Sequence, residues 1–290
     1  MARIAAISRK KEVAAILNFI KRTILTLIGP ILILLLWFQL AKVIDNRLIL
    51  PQFTSVAIHF FHPFASLIGL GSLLINIFIS LIRVFIGYAI AALLAVPIGV
   101  LMGYNASVYA LVNPVLSLFR PIPPISWVPL VLAWFGVTSI ASIIGLTQGP
   151  WYIYLNNFKI SMTFIIFLGA FFPIVTSSIH GVSTVPKQLV ESARVLGADE
   201  WFIFRKILLP AAGPTIVNGL RTGLGVAWTC LVSAEMLPGS LSGVGYMIMH
   251  AYEIARVDVV MAGMISIGVT GALLDYLFRI AERKKFSWKR

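Results

Sequence analysis

Four ionisable side chains lie inside long apolar stretches of this sequence: Arg83, Arg221, Glu235 and Asp275. A charge in a hydrocarbon layer costs about 2.5 to 3.5 kcal/mol on insertion scales, so each needs a partner or a wet cavity. Arg221 and Asp275 fall at similar depths in their stretches, which predicts a structural ion pair. Arg83 can bind an anion through its guanidinium group. Pairing with Glu235, or snorkelling of the long side chain, is the structural alternative for Arg83.

A wider set of polar and aromatic residues falls in the same stretches. The candidates for a translocation path are Arg83, Ser126, Trp127, Trp228, Thr229, Ser233 and Glu235. Irregular backbone at membrane depth is found where it lines a cavity, and 121–127 is rich in proline. Hydrogen bonding between helices by Thr229 and Ser233 is the structural alternative.

Residue types expected of an enzyme or a metal centre do not come together in this sequence. His59 and His62 have the spacing of two ligands on one helix, but no third ligand stands near them. Paired histidine and acidic residues at catalytic spacing are absent from the apolar stretches. The single cysteine, Cys230, excludes an intrachain disulfide. We therefore expect a protein that is not an enzyme, with no catalytic residues and no metal.

The elements that must position these residues are membrane helices. The chain has 290 residues, of which 59% are hydrophobic and 11% charged, and its mean hydropathy is +0.97. Soluble proteins have about 25% charged residues. A membrane-spanning helix uses about 20 apolar residues, so several spans leave no room for a large aqueous domain.

Six apolar segments are long enough to cross a bilayer: 23–41, 70–103, 123–146, 162–178, 214–237 and 259–280. The second is too long for one crossing, so its beginning, 72–80, is either an interfacial helix or part of a tilted span. The sequence therefore predicts an all-α membrane protein with about six transmembrane helices.

The distribution of the 23 lysines and arginines predicts the orientation of these helices. Most of them fall in the N-terminal tail, in the segment after the fourth span and at the C-terminus, and Arg120 is assigned to the same side. The opposite side holds Lys42, Arg47, Lys159 and Arg256. The positive-inside rule then places both termini in the cytoplasm.

The predicted organisation has three parts. A cytoplasmic basic tail, 1–22, is followed by a transmembrane domain, 23–281, which contains a loop at 180–210, and by a cytoplasmic basic C-terminus, 282–290. The net charge of +13 is explained by topology and by attraction to anionic lipid. It does not indicate binding to nucleic acid.

The 180–210 loop is the longest candidate for a structured piece outside the membrane. Its pattern predicts two short helices joined at Gly197, with Asp199 capping the second and Pro210 ending it. Its apolar residues exceed those of a loop in water, so some of them face a partner or the inner surface of the membrane.

A spaced motif lies within this loop. Glu191, Ser192 and Ala193 are followed after three residues by Gly197 and, after nine more, by Ile207-Leu208-Leu209-Pro210. This pattern resembles the EAA motif in the membrane subunits of bacterial ATP-binding-cassette importers. The one departure is Ser192, a small residue where that family usually has alanine. Further segments are similar to the nitrate, alkanesulfonate, taurine and bicarbonate branch of these permeases: 120–136, 167–173, 218–236, 242–246 and 258–275.

The resemblance implies the type I importer permease fold and a multi-pass location in the bacterial inner membrane. In that family the loop is a coupling helix that sits in a groove of a cytoplasmic ATPase. The residues to which this role transfers are Glu191, Ser192, Ala193, Gly197, Ile207, Leu209 and Pro210. The implied partners are a second permease copy, two ATP-binding subunits, an external or periplasmic substrate-binding protein and lipid.

The sequence contains no Gly-Lys dipeptide, so it lacks the GxxxxGK[ST] phosphate loop. ATP and magnesium would be bound by the partner ATPases, with no cofactor in this chain.

The resemblance also implies import of a small anion by alternating access: nitrate, bicarbonate, or a sulfonate such as taurine. The alternative is a secondary carrier driven by an ion gradient, which predicts inverted repeats and paired broken helices. The segment 147–161 resembles an insertion relative to this branch and is expected on the external face, where a binding protein docks. The identity of the anion therefore does not transfer with the motif.

Overall fold

The computed structural model describes Lys21, Leu25 and the ranges 28–237 and 239–285. The predicted tail over 1–22 thus lies outside the described residues apart from Lys21, as does the end of the predicted C-terminus, 286–290. Every regular element in the described ranges is a helix. The prediction of an all-α fold is confirmed.

The helices of the described ranges are numbered here in chain order. They are α1 (Ile28–Ile44), α2 (Phe53–Phe61), α3 (Leu73–Tyr104), α4 (Ala106–Phe119), α5 (Val128–Phe135), α6 (Ile140–Ile143), α7 (Pro150–Asn156), α8 (Ile160–Ser183), α9 (Lys187–Val195), α10 (Glu200–Phe202), α11 (Leu209–Glu235), α12 (Val244–Glu253) and α13 (Val257–Lys285). A 3-10 turn, Pro124–Trp127, precedes α5, and a π-helical turn, Ile203–Leu208, joins α10 to α11.

Helix α8 packs against both α3 and α11 and forms the centre of the molecule. A Cβ atom at Gly87 of α3 would lie 2.7 Å from Cγ2 of Ile166, and one at Gly223 of α11 would lie 2.6 Å from Cγ1 of Ile174. These distances leave no room for a side chain, so the glycines allow the close helix approach that is common in membranes. Val84 and other buried apolar residues fill the core around these contacts.

Three helices of the described residues, α3, α8 and α13, are long and apolar enough to cross a membrane, and α4 with the chain through α5 makes a fourth if that bent pair is one span. Helix α1 is a shorter apolar helix, and α11 has 27 residues. The over-long second segment is one continuous helix of 32 residues.

The predicted third span over 123–146 is wrong as a single helix. It contains the 3-10 turn, α5 and the four-residue α6, and the helix Pro124–Phe135 is bent by 83° relative to α4. Pro121, Pro123 and Pro124 account for the break, because proline lacks an N–H and restricts the residue before it to extended conformations.

The same break changes the position of Arg120. The hydroxyl of Tyr104, at the end of α3, donates a hydrogen bond to Glu200 in the 180–210 loop, and we call this end of the bundle the loop end. Helix α4 leads away from it for 14 residues, about 21 Å at 1.5 Å per residue. Contrary to the prediction, Arg120 lies away from the loop end, beside Phe172 in the middle of α8.

Gly223→Ala is expected to lower the midpoint of thermal denaturation in detergent. The added methyl group would lie 2.6 Å from Ile174, and such overpacking costs about 1 to 3 kcal/mol. Gly225 is a matched control on the same helix, because a Cβ there meets nothing within 4 Å. Gly225→Ala should leave the midpoint unchanged or raise it. Equal midpoints for the two variants would contradict the close contact of α11 with α8.

Candidate functional site

The turn of the 180–210 loop depends on Gly197. Its φ of +81° lies in the left-handed region, which residues with a Cβ atom rarely adopt. The N–H of Ala198 donates to the Ala193 carbonyl at 3.0 Å and closes the end of α9. The chain then enters α10, which the Asp199 side chain caps. The structure thus has the two short helices joined at Gly197 that the sequence predicts.

Pro210 does not end the second helix, contrary to the prediction. The chain continues from α10 through the π-helical turn into α11, with Pro210 in its first turn and Pro214 inside it. A proline ring crowds the carbonyl four residues earlier, and a π-helical turn at that place relieves the crowding. The loop is therefore joined to α11 without a break.

The motif residues of the loop form a buried set and an exposed set. Ala193 packs with Ile203 and Leu208 between the helices, while Ile207 and Leu209 are half-buried. The exposed motif residues are Glu191, Ser192, Gly197 and Pro210. The buried set holds the two helices together, and the exposed set leaves a surface for contact outside this chain.

The tip of the loop exposes apolar side chains on a fixed support. Val195 and Leu196 are 88% and 86% exposed. Next to them, Nη2 of Arg194 lies 2.8 Å from Oε1 of Glu200, and Oε2 of Glu200 accepts the hydrogen bond from Tyr104. The hydrogen bond from Tyr104 lowers the pKa of Glu200. The carboxylate therefore fastens the tip to the end of α3.

A buried ion pair lies towards the opposite end of the bundle. Nη1 of Arg83 is 2.6 Å from Oε1 of Glu235, and the two side chains are 3% and 0% exposed. The Ser80 hydroxyl donates to the same carboxylate at 2.8 Å, and the N–H of Gly245 donates to Oε2 at 3.0 Å. Arg83 also donates to the carbonyl and the hydroxyl of Ser242. The two charges thus have the additional hydrogen bonds that a buried pair requires.

The segment predicted as an insertion, 147–161, is anchored on this pair. Nε of Arg83 donates to the Asn157 carbonyl at 2.9 Å, and the Ser242 hydroxyl donates to Oδ1 of Asn157 at 2.8 Å. Burial, and then the charge of Arg83, lower the pKa of Lys159 nearby. Four of the five N–H groups of Arg83 are occupied within the chain. This geometry favours the structural alternative for Arg83 over contact with an anion.

The path candidates on α11 also have internal partners. Trp228 is buried, and its Nε1 donates to the Ile267 carbonyl on α13 at 3.1 Å. The hydroxyls of Thr229 and Ser233 donate to carbonyls of their own helix, those of Val226 and Thr229. Trp228 therefore joins two helices, and the two hydroxyls are satisfied within α11.

The other two path candidates lie in the 3-10 turn before α5. Ser126 is exposed. The ring of Trp127 packs on Phe119 with 5.6 Å between centroids, and its buried Nε1 has no acceptor within the described part of the chain. The turn that carries these two residues packs against α8 and α11.

An open cleft of about 410 Å³ lies between α8, α11 and the segment after α4. Its polar lining consists of Arg120, Thr176, Ser177 and Thr222. An adjoining cavity of about 190 Å³ shares Arg120 and Thr176 and extends along α4 to His180. Sequence reasoning missed Arg120 because its charge was assigned to a connection. The available signal was an arginine directly before a Pro-Ile-Pro-Pro break in an apolar region.

Arg221 and Asp275 lie together, as a structural pair between α11 and α13 requires. Nε of Arg221 is 3.3 Å from Oδ1 of Asp275, and its Nη1 is 3.4 Å from Glu282. Asp275 also accepts from Arg279, one turn along α13, at 2.8 Å. The two arginines and the two carboxylates form a partly exposed network in which the positive and negative charges balance.

Comparison with known proteins gives a family match that covers 95–287 of the chain. Residues 95–287 match the model of the family described as binding-protein-dependent transport system inner membrane component. A protein named as an ABC transporter permease in Methanocaldococcus jannaschii is 43% identical over 98% of both chains. A protein named for aliphatic sulfonates transport in Bacillus subtilis is 33% identical over 91% of this chain and 87% of its own length. A nitrate import permease of Synechocystis sp. is 34% identical over 74% and 69%.

A solved structure has a similar fold. The inward-facing MetNI methionine ABC transporter superposes with a TM-score of 0.55 at 21% identity, covering 73% of this chain and 93% of the compared chain. At this identity the similarity supports the fold alone, and the predicted type I importer permease fold is confirmed.

Glu235→Gln is expected to destabilise the protein strongly. The change leaves the Arg83 charge buried without its partner, which costs about 3 to 5 kcal/mol. The double variant Arg83→Met/Glu235→Met should recover part of the loss, because no unpaired charge remains. Thermal denaturation in detergent measures both.

Arg279→Gln is the control for that experiment, because it breaks an exposed pair with Asp275. Exposed pairs contribute about 0 to 1 kcal/mol, so a small shift is expected. If Glu235→Gln behaved like this control, the buried pair would not stabilise the fold.

Proposed function

The chain belongs to the family of binding-protein-dependent transport system inner membrane components, and on that premise we propose that it imports a small anion as the permease of an ATP-driven complex. The anion is nitrate, bicarbonate, or a sulfonate such as taurine. Two similar proteins named for sulfonates and for nitrate support this class. The cleft beside α8 also supports it, because Arg120 is the one charged residue among the described residues that line it.

The observation that carries the proposal is the geometry of the 180–210 loop. Its apolar tip at Val195 and Leu196 is exposed, and contiguous exposed apolar residues outside the membrane spans are typical of a surface that contacts another protein. Glu200 fastens the tip to α3, and the π-helical turn joins it to α11. A push on the tip therefore moves two helices of the core, which suits a contact with a moving subunit.

The proposed partners follow from this arrangement. Two ATP-binding subunits contact the exposed surface around Glu191 and Gly197 in a pair of permease copies, and an external binding protein delivers the anion. Closing of the ATPases on ATP brings the two loops together and opens the path outward, and hydrolysis resets it. The basic residues Lys187, Arg205 and Lys206 support a cytoplasmic position for the loop and for both termini.

The test is reconstitution of the permease in lipid vesicles with its ATPase subunits and the matching binding protein. ATP hydrolysis and uptake are measured with nitrate, bicarbonate, taurine and an alkanesulfonate. We expect one anion with its binding protein to stimulate both. A stable complex that responds to none of these anions would refute the anion and leave the importer. Uptake that needs an ion gradient and no ATPase would favour the secondary carrier.

Gly197→Val is expected to abolish ATP-driven uptake and to weaken retention of the ATPase during purification. The left-handed conformation costs an L-residue about 1 to 2 kcal/mol, and a β-branched side chain tolerates it least. Gly197→Asn is the matched control, because asparagine adopts this conformation more readily, and it should retain most of the uptake. Normal assembly and uptake with valine would refute the coupling role of the loop.

A further inference from the structure

We propose that Arg120, together with the hydroxyls of Thr176, Ser177 and Thr222, forms an anion-binding site halfway across the membrane. The inference rests on the proposed function and adds the place at which the permease itself holds the anion. The ligand is a small oxyanion, with a planar or tetrahedral group of oxygens that accept hydrogen bonds.

The depth of this site follows from the helices that line it. Thr222 is the central residue of α11, with 13 residues on either side between Leu209 and Glu235. Phe172, which lines the same cleft, stands at the middle of α8. Since α8 and α11 pack along each other, Arg120 lies level with the middle of both helices.

Arg120 differs from the other arginines inside the bundle because its charge is uncompensated. Arg83 and Arg221 both have carboxylate partners. Arg120 is exposed and makes no ion pair or side-chain hydrogen bond within the part of the chain that the structure describes. None of the described residues that line its cleft is acidic. A charge at this depth requires water or a ligand, and an anion supplies the missing compensation.

The backbone around Arg120 also has the form expected of a path. Helix α4 ends at this residue, and the chain turns by 83° before the helix Pro124–Phe135. In lipid, such irregular backbone is stable only where it is covered by protein or lines a water-filled cavity. The turn is covered on one side by α8 and α11, and the open cleft provides a cavity in which water, or a hydrated anion, contacts the rest.

The lining chemistry selects an oxyanion over other small solutes. A guanidinium group donates two parallel hydrogen bonds to adjacent oxygens, and hydroxyl groups donate further ones. The volume of about 410 Å³ accommodates nitrate, bicarbonate or taurine with some of their water. A cation would meet the charge of Arg120 with no carboxylate in the lining to offset it.

The first experiment measures the electrostatics of the cleft without transport. Val226→Cys, which lines the same cleft without being one of the four proposed binding residues, is introduced in a Cys230→Ala background. Its reaction rates with the anionic sulfonatoethyl and the cationic trimethylammonium-ethyl methanethiosulfonates are compared, each relative to free cysteine. We expect the anionic reagent to be favoured and nitrate to slow it more than gluconate does. Adding Arg120→Gln should lower the preference by about five- to tenfold, while Arg120→Lys should retain it. An unchanged preference in Arg120→Gln, or no protection by any of the four candidate anions, would overturn the site.

The second experiment measures uptake by the complete complex. Arg120→Gln should reduce anion uptake per ATP hydrolysed by tenfold or more, with partial recovery in Arg120→Lys. Arg279→Gln removes one positive charge away from the cleft and should transport normally. If the natural complex imports an anion and Arg120→Gln does so equally well, the site is wrong and the proposed function stands. If the natural complex imports none of them, the proposed function fails, and the thiol rates still decide whether the cleft binds anions.

Discussion

A hydrocarbon layer offers no hydrogen-bonding partner. Every charge inside this bundle must therefore be compensated by another group of the chain, by water or by a bound ligand. The Arg83–Glu235 pair satisfies this requirement within the chain. The pair joins α3 to α11. Hydrogen bonds of 2.7 to 2.9 Å connect Arg83 to Asn157 and Ser242, and these two residues to each other. Because each of these groups is needed to satisfy another, the segments cannot separate one at a time without exposing a buried charge.

This end of the bundle is therefore rigid, and the loop end is built differently. There, the exposed carboxylate of Glu200 and the ring contact between Tyr104 and Phe204 hold the loop to α3. Exposed ion pairs are weak, and the apolar tip has no cover within the described residues. The end that holds the Arg83–Glu235 pair, the locked end, is suited to a fixed scaffold. The loop end is suited to contact with another subunit.

The sequence predicted those features that depend on local pattern. The all-α fold follows from composition, and the turn at Gly197 follows from a glycine between two helix-forming runs. The Arg221–Asp275 contact was expected from equal depths in two spans. The third span and the position of Arg120 were not predictable in the same way, because hydropathy measures how apolar a segment is and not where it bends. Pro210 was expected to end a helix by a local rule, but the π-helical turn before it allowed the helix to continue.

The three parts of α11 connect these features along one helix. Its beginning is continuous with the 180–210 loop through the π-helical turn, its middle carries Thr222 in the cleft, and its end holds Glu235 in the buried pair. A displacement of the loop therefore reaches the cleft through a packed helix, whereas the locked end resists movement. Under the proposed function, the change of shape then falls between the loop end and the end that holds the Arg83–Glu235 pair, and the cleft lies between these two ends. The broken chain between α4 and α5 lines the cleft at the same depth as Thr222. At such a break, two helices can change their angle with little loss of hydrogen bonds. The proposed anion site thus lies in the part of the bundle whose shape a push on the loop would change.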